Sequence, residues 1–252
     1  MPSQYKIQGD LRYFGDDGLP LPSPQLLEAV RRDFGNRLIM SVSGKDSLAA
    51  WLYLRENGFE LIPYWCYDLP GCSFDEQAHR YYQDFFQTKI YRIPHPILYA
   101  KLRSGKFQTP DSWARLKAMN LPDYDYAVIE SLIAMENGMG DNYLTAVGMR
   151  SADNLMRYRL LRQQGAVGTK KRHFYYPVWD WKLSDVRAIL NKYDCKLSRS
   201  YAYFDNTGNG VDYHTLDVFR KHLPDDYARI LCVFPLAEME ILRFEKVGKT
   251  RT

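Results

Sequence analysis

Cysteine is scarce. Only four occur in 252 residues: Cys66, Cys72, Cys195 and Cys232. No two form a C-x-x-C pair, which excludes most zinc ribbons and gives no iron–sulfur ligand run. So few cysteines in a chain of this length point to a reducing cytosol. Paired histidines are lacking as well. His79, His95, His173, His214 and His222 do not pair with one another or with a cysteine at metal-ligand spacing, so no zinc site is expected. Long apolar runs are absent, and no stretch approaches the ~18 residues needed to span a bilayer. The opening MPSQYKIQGD holds no apolar core, so no signal peptide is expected there. Neither charge sign dominates. The formal net charge is +4, which suits an anionic ligand but is too small to establish nucleic-acid binding. No internal repeat or low-complexity tract is present.

The composition is otherwise that of a folded domain, with 46% hydrophobic and 25% charged residues. A chain of this length buries roughly 70–75% of its unfolded surface and needs no disulfide or metal to fold. Tyrosine is abundant, at 20, with 5 tryptophans. The excess reads either as packing or as stacking platforms for a base.

Residues 1–22 read as an irregular arm. Ser23-Pro24 looks like a cap and first helical residue, opening a helix that stops near Gly35. RLIMSV is a short buried strand, SGKDS a tight turn, and LAAWLYLREN a helix ending at Gly58. ELIPYWCYD and TKIYRIPHP are further strands, with the helix FDEQAHRYYQDFFQ between them. Residues 100–126 are less regular. AVIESLIAMENG reads as a helix, DNYLTAVGM as a buried strand, and ADNLMRYRLLRQQG as a basic helix. VGTKKRH is a turn, YYPVWDW is extended, and LSDVRAILNKY is a helix with Ser184 as its cap. Near the C-terminus DNTGNG is a turn cluster, and HTLDVFRKHL and DDYARILCVF are helical.

Strand–helix–strand alternation predicts parallel pairing with right-handed crossovers. The expected fold is α/β: an open, mainly parallel twisted sheet with helices on both faces, Rossmann-like. It is read as one domain, with residues 1–35 an arm and helix, 36–190 the core, and 191–252 a mostly helical extension.

The most informative segment is Ser41-Val42-Ser43-Gly44-Lys45-Asp46-Ser47, where a strand ends and a helix begins. A helix N-terminus offers unpaired N–H groups and a positive dipole end, and both suit phosphate. Gly44 allows close approach of backbone, Ser43 and Ser47 offer hydroxyls, and Lys45 offers a cation. Asp46 beside phosphates would repel them unless it holds Mg²⁺ or a loop N–H. The bland alternative is an ordinary strand–turn–helix corner. The GxxxxGK[ST] spacing of a Walker A loop is absent.

This loop resembles the PP-loop of the adenine-nucleotide α-hydrolase, or ATP-pyrophosphatase, superfamily, whose usual form is SGGxDS. Here Val42 and Ser43 stand where the family has Ser and Gly. Tyr67-Asp68, GMRSADNLMR and YYPVWDWKLSDV follow in order and are similar to the phosphoadenylylsulfate (PAPS) reductase branch, in its phage and mobile-element type. Gly148, Arg150 and Arg157 match the family's G-x-R-x-x-E-S-x-x-R pattern, with Asp153-Asn154 in place of Glu-Ser. Pro177, Asp180, Trp181, Asp185 and Val186 match its P-[IL]-x-D-W-x-x-x-D-V pattern. The likeness spans roughly residues 36–190.

The resemblance implies an adenine nucleotide, ATP or PAPS, with Mg²⁺ shared between Asp46 and phosphate oxygens. In an open parallel sheet, ligands bind beyond the carboxyl ends of the strands. The nominated nucleotide-binding residues are Ser41, Ser43, Gly44, Lys45, Ser47, Tyr67, Asp68, Gly148 and Arg150, and the nominated catalytic ones Lys45, Asp46, Arg150 and Arg157. Arg150 and Arg157 read as bidentate anion binders or as surface arginines. Lys170, Lys171 and Arg172 read as a solvated turn or as a clamp on a polyphosphate or a nucleic-acid backbone. His95 between two prolines reads as a packed or capping histidine, or as one that reaches the site.

The family's reductases carry a thiol in an ECGLH-like C-terminal motif, and this chain ends LRFEKVGKTRT without one. Cys232, in RILCVFPL, reads as buried core, and Cys195 as structural. Cys66 and Cys72 flank Asp68, and one of them is a candidate reactive thiol. PAPS reduction is therefore disfavoured and an iron–sulfur cluster is not expected. Three functions compete: an ATP pyrophosphatase or adenylyltransferase, with a nucleic acid or protein as acceptor; a sulfonucleotide reductase with an atypical thiol; and a non-catalytic nucleotide sensor or partner-binding module. The expected setting is the cytoplasm of a bacterium or a phage-infected cell, without membrane contact, with a homodimer among the partners considered.

Overall fold

A computed structural model describes residues 7–204 and 211–248. Its elements run α1 (Ser23–Phe34), β1 (Arg37–Val42), α2 (Lys45–Glu56), β2 (Glu60–Tyr67), α3 (Ser73–Phe86), β3 (Tyr91–Pro94) and α4 (Pro96–Arg103). They continue with α5 (Pro110–Ala118), α6 (Tyr126–Glu136), β4 (Thr145–Val147), α7 (Leu155–Gln164), β5 (Val167–Gly168), β6 (Phe174–Tyr175) and α8 (Leu183–Lys192). Last come α9 (Tyr213–His222), α10 (Pro224–Val233) and α11 (Glu238–Gly248).

The six strands form one mixed sheet in the order β3-β2-β1-β4-β6-β5. β1 runs parallel to β2 on one side and to β4 on the other, β4 runs parallel to β6, and β5 pairs antiparallel with β6. Leu38, Ile39 and Met40 follow one another along β1 and all are fully buried. Successive strand residues point to opposite faces, so β1 is covered on both. This is the doubly covered, mainly parallel sheet that the strand–helix alternation predicts. The order reverses between β1 and β4, where the chain winds away from β1 to either side.

By contacts the chain divides into two compact units. The first comprises residues 1–65, 88–91 and 125–197. Its central helix, α2, is buried at Leu48, Ala49, Ala50, Trp51, Leu52 and Leu54, nearly all round. It packs between the strands and α8. Burying a full Leu or Trp contributes about 1.5–3 kcal/mol, so α2 is a fixed point rather than a mobile arm. The second unit comprises residues 66–87, 92–124 and 198–252. Its core is Leu98, Val211, Leu216, Phe219, Ile230, Phe234, Ala237 and Ile241. Buried Asp226 caps α3 by accepting from Ser73 N at 2.7 Å and Ser73 Oγ at 2.8 Å.

Several local expectations are corrected. Ser23 does not cap α1: Pro22 takes that place, and the buried Ser23 donates its hydroxyl to Asp180. Ser184 lies inside the first turn of α8, where Asp185 accepts from Lys182 N at 2.7 Å and serves as the cap. The third strand shortens to Tyr91–Pro94, ending where His95 caps α4 and Pro96 opens it. Residues 100–126 are more regular than expected, since Thr109 caps α5 by accepting from Ser112 N. Cys232 is exposed. Asp226, Ile230 and Phe234 recur at i, i+4 as the buried face, which leaves residue 232 on the opposite side of the helix. The DNTGNG cluster lies outside the described residues.

Candidate functional site

The loop between β1 and α2 is braced from inside by one hydroxyl. Ser47 is buried, and its Oγ accepts from the N–H groups of Ser43 at 2.9 Å and Gly44 at 3.0 Å. The same hydroxyl donates to the Gly44 carbonyl at 2.7 Å. Ser47 thus shapes the loop and spends its polar capacity there. Ser41 points elsewhere: it hydrogen-bonds Tyr64.

Gly148 follows β4, the strand beside β1 on the far side of the reversal. A Cβ added there would lie 2.2 Å from Ser47 N and 2.4 Å from both Asp46 C and Ser47 Cα. No side chain fits. The backbone leaving β4 is pressed against the first turn of α2, so the two strand ends and the helix N-terminus form one rigid corner. Crevices at such reversals are where open α/β sheets bind ligands.

Arg150 comes two residues later and is 4% exposed. Its Nε donates to Asp46 Oδ1 at 2.7 Å, Nη2 to Asp153 Oδ1 at 2.5 Å, and Nη1 to the Trp181 carbonyl at 3.4 Å. Lys45 Nζ lies 3.2 Å from Asp46 Oδ2, and Arg157 donates to Asp153 Oδ2. Charge therefore alternates along Lys45–Asp46–Arg150–Asp153–Arg157, with one positive charge in excess. The guanidinium nominated as an anion fork is turned inward onto two carboxylates. Arg157 keeps 43% of its side chain exposed.

The helix carrying Arg157 starts later than expected. A short 3₁₀ turn covers Ser151–Asp153. Asn154 then breaks the run and accepts from Arg157 N at 2.8 Å, so that α7 opens at Leu155. This puts Arg157 in the first turn of α7, within reach of Asp153. Asp153 is the residue that sequence reasoning missed. Its signal was its spacing, three after Arg150 and four before Arg157.

Asp46 is the carboxylate nominated for Mg²⁺. Its two oxygens face Arg150 and Lys45, an ion-pair arrangement. Among the described residues no cluster of three His, Cys, Asp or Glu side chains is placed to hold a metal. The residues present do not fit a protein-held Mg²⁺, and no step below runs through one.

Arg172 is not available as a surface clamp. It forks onto Glu130, with Nε 2.9 Å from Oε2, and Glu130 is fully buried and also accepts from Tyr64 OH at 2.8 Å. Burial first, and then the Glu130 charge, push the Tyr64 phenol well above its ordinary range. Lys170, by contrast, reaches only the Gln8 carbonyl, and Lys171 is exposed.

Tyr67 and Asp68 belong to the second unit. The Arg92 guanidinium carbon lies 5.3 Å over the Tyr67 ring. His95 caps α4, its Nδ1 accepting from Ile97 N at 3.0 Å, and Asp68 Oδ1 lies 3.9 Å from that nitrogen. Burial holds the His95 pKa below its ordinary value, against the opposing pull of Asp68. The capping reading of His95 is the one observed. Cys72 and Cys195 are buried, and burial pushes both thiols up to about 12.

No protein-family model matches the chain. No curated protein sequence matches it. Solved structures similar to it include a phosphoadenylyl-sulfate (PAPS) reductase from Candida auris in a phosphate complex. That protein is 12% identical, with a TM-score of 0.44, and the match covers 74% of this chain and 87% of that one. Another is an NH3-dependent NAD synthetase from Campylobacter jejuni in complex with the nitrate ion, 13% identical, TM-score 0.43, covering 90% and 93%. A third is an NAD+ synthetase from Burkholderia pseudomallei, 12% identical, TM-score 0.38, covering 84% and 87%.

Proposed function

We propose that residues 43–47, with Lys45 and Arg157, bind the polyphosphate of an adenine nucleotide, and that the protein cleaves ATP between its α and β phosphorus atoms. One observation carries this reading: the first turn of α2 is clamped by the Gly148 backbone at the β1–β4 reversal. First-turn N–H groups lack intrahelical partners, and a helix N-terminus bears roughly half a positive charge, so anions settle there.

Lys45, paired with Asp46, adds a cation, and Arg157, paired with Asp153, adds a half-exposed guanidinium. Arg150 acts at one remove. By neutralising Asp46 it removes the repulsion this carboxylate would exert on a phosphate. An acceptor oxygen, from water or a second substrate, attacks the α-phosphorus. The α–β bridging P–O bond breaks, pyrophosphate leaves, and the acceptor's proton passes to solvent. Catalysis is then mainly positioning and charge neutralisation.

The adenine base and the two-product cleavage rest on the PP-loop resemblance. Titration calorimetry with ATP, AMP and PAPS, together with pyrophosphate release from ATP, tests the reading. Lys45→Ala should weaken ATP binding by about 10–100-fold, the range of one charge-assisted contact. No binding of any of the three nucleotides at millimolar concentration would refute it.

A sensor that binds without turnover is the second reading, and the ion-paired state of Asp46 favours it. Tight ATP binding with no pyrophosphate release for any acceptor would select it. The reductase reading draws no support from Cys72 or Cys195, whose thiols are held protonated by burial. No helix among the described residues is long and apolar enough to cross a membrane.

A further inference from the structure

The positive charge of this chain is concentrated in one stretch. Residues 148–172 carry seven Lys or Arg and one Asp, a formal +6, while the whole chain is +4. Everything outside that stretch is therefore net negative.

Three of the seven cations are paired within the fold, Arg150 with Asp46 and Asp153, Arg157 with Asp153 and Arg172 with Glu130. The other four are Arg159 and Arg162 on α7 and Lys170 and Lys171 on the turn after β5. Arg159, Lys170 and Lys171 are exposed and Arg162 half-buried. Among the described residues no carboxylate pairs with Arg159, Arg162, Lys170 or Lys171. A solvated helix face ordinarily intersperses Glu with Lys at i, i+4. This face has no acidic residue after Asp153, and like charges gathered without counter-charges favour a polyanion.

We propose that α7 and the 170–171 turn form a docking surface for the phosphate backbone of a nucleic acid. Three observations favour this over other anionic surfaces. The helix cations are all arginine, whose planar fork matches phosphate oxygens in pairs. The exposed apolar residues of α7, Leu155 and Met156, are consecutive and sit beside the arginines rather than forming an apolar stripe; a helix lying in a membrane surface needs such a stripe. Arg162 also lies 5.9 Å over the ring of half-buried Tyr158, and arginine–aromatic pairs are suited to bases as well as phosphates.

The surface is also joined to the candidate site. Arg157 shares α7 with it and reaches the loop through Asp153, Arg150 and Asp46. A nucleic acid held there lies next to the proposed nucleotide pocket, as an acceptor or as an allosteric ligand. The binding claim itself goes beyond the nucleotide reading and does not depend on turnover.

The test is fluorescence anisotropy with labelled 20-residue single-stranded DNA, single-stranded RNA and duplex DNA, from 50 to 200 mM salt, with no ATP present. The comparison is the triple variant Arg159→Gln, Lys170→Gln, Lys171→Gln. These side chains are exposed, and its melting curve reports that the fold is kept. Four phosphate contacts predict about a 50-fold loss of single-strand affinity over that salt range. The variant should lower the salt slope by about 2 and bind more than 10-fold more weakly at 50 mM. If it fails to fold, the single reversal Lys171→Glu replaces it, with a slope reduction of about 1.

A slope unchanged in the variant overturns the proposal. So does the absence of salt-dependent binding, or tighter binding to phosphatidylserine vesicles or polyglutamate than to any oligonucleotide. Calorimetry with ATP on the same samples separates the two readings: oligonucleotide binding without ATP binding refutes only the nucleotide site, and ATP binding without oligonucleotide binding refutes only this surface.

Discussion

Replacing Gly148 by alanine adds a single methyl group, yet it is expected to disable the candidate site. The Cβ would sit 2.2 Å from Ser47 N, where ordinary contact begins near 3.4 Å. The gap must open by more than 1 Å. The three nearest atoms all belong to the α2 backbone, and no side chain can rotate aside. The first turn of α2 must move, or β4 must. Overpacking of this kind costs about 1–3 kcal/mol. At about 2–4 °C per kcal/mol for a chain of this size, the melting point should fall by about 2–12 °C. A 1 Å misplacement of a positioned group can cost about 100-fold in function, so nucleotide affinity should fall by at least 10-fold. Gly140→Ala is the control. Gly140 has φ +63 with open space around it, so alanine there meets only left-handed strain, about 1–2 kcal/mol, and ATP affinity should be unchanged. Differential scanning fluorimetry and titration calorimetry on both variants read the two effects. A Gly148→Ala protein that melts and binds like the parent refutes the clamped-corner argument.

Arg150→Met leaves Asp46 only Lys45 and Asp153 only Arg157 and should cost about 1–3 kcal/mol in urea unfolding, with Asp46→Asn in the same chain restoring part of the loss. A cost below 1 kcal/mol would show that the ion-pair chain is not structural. In timed alkylation followed by mass spectrometry, Cys232 should react first, and Cys72 and Cys195 only on unfolding, because burial keeps both as thiols. The folded protein holds protons on Cys72, Cys195, Tyr13 and Tyr53 up to about 12, whereas an unfolded chain releases them near the ordinary values of 9.0 and 10.0. Above about pH 9 the unfolded state binds fewer protons, so these groups add nothing to the pH slope below that point and make stability fall from pH 9 to 12; a urea midpoint that stays flat to pH 11.5 would contradict this. Asn154→Ala should cost about 1 kcal/mol through the lost cap, and Asn154→Ser much less, read as a change in the same urea midpoint.

The sheet was largely legible because its central strands are short apolar runs bounded by glycine. RLIMSV coincides with β1, and ELIPYWCYD contains β2. Helices α4 and α5 were passed over because each is only about two turns long, although both start with a local signal, a cap followed by proline at His95-Pro96 and Thr109-Pro110. The loop at 43–47 was readable from its residues. The partners that define its state were not, because Arg150 lies 104 positions from Asp46. Gly148 was read as a nucleotide neighbour, and what it touches is protein backbone. Sequence pattern reports what a residue can do locally. It is silent about which distant group has already claimed it.

The departure at Asp153-Asn154 makes the same point from the other side. The resembled pattern has Glu-Ser there, and the substitution reads as a weakening of the match. In the structure the pair does two separable jobs. An acid is needed to hold Arg150 and Arg157 at once, and Asp153 does so with one oxygen for each. A short polar side chain is needed next to cap α7, and Asn154 does so through its Oδ1. Asp is one methylene shorter than Glu, and the 3₁₀ turn over residues 151–153 carries it toward Arg150. Asn and Ser rank together as N-caps. Acid followed by cap is therefore what these two positions contribute in this chain, the acid tying the two arginines together and the cap opening the helix that carries the second.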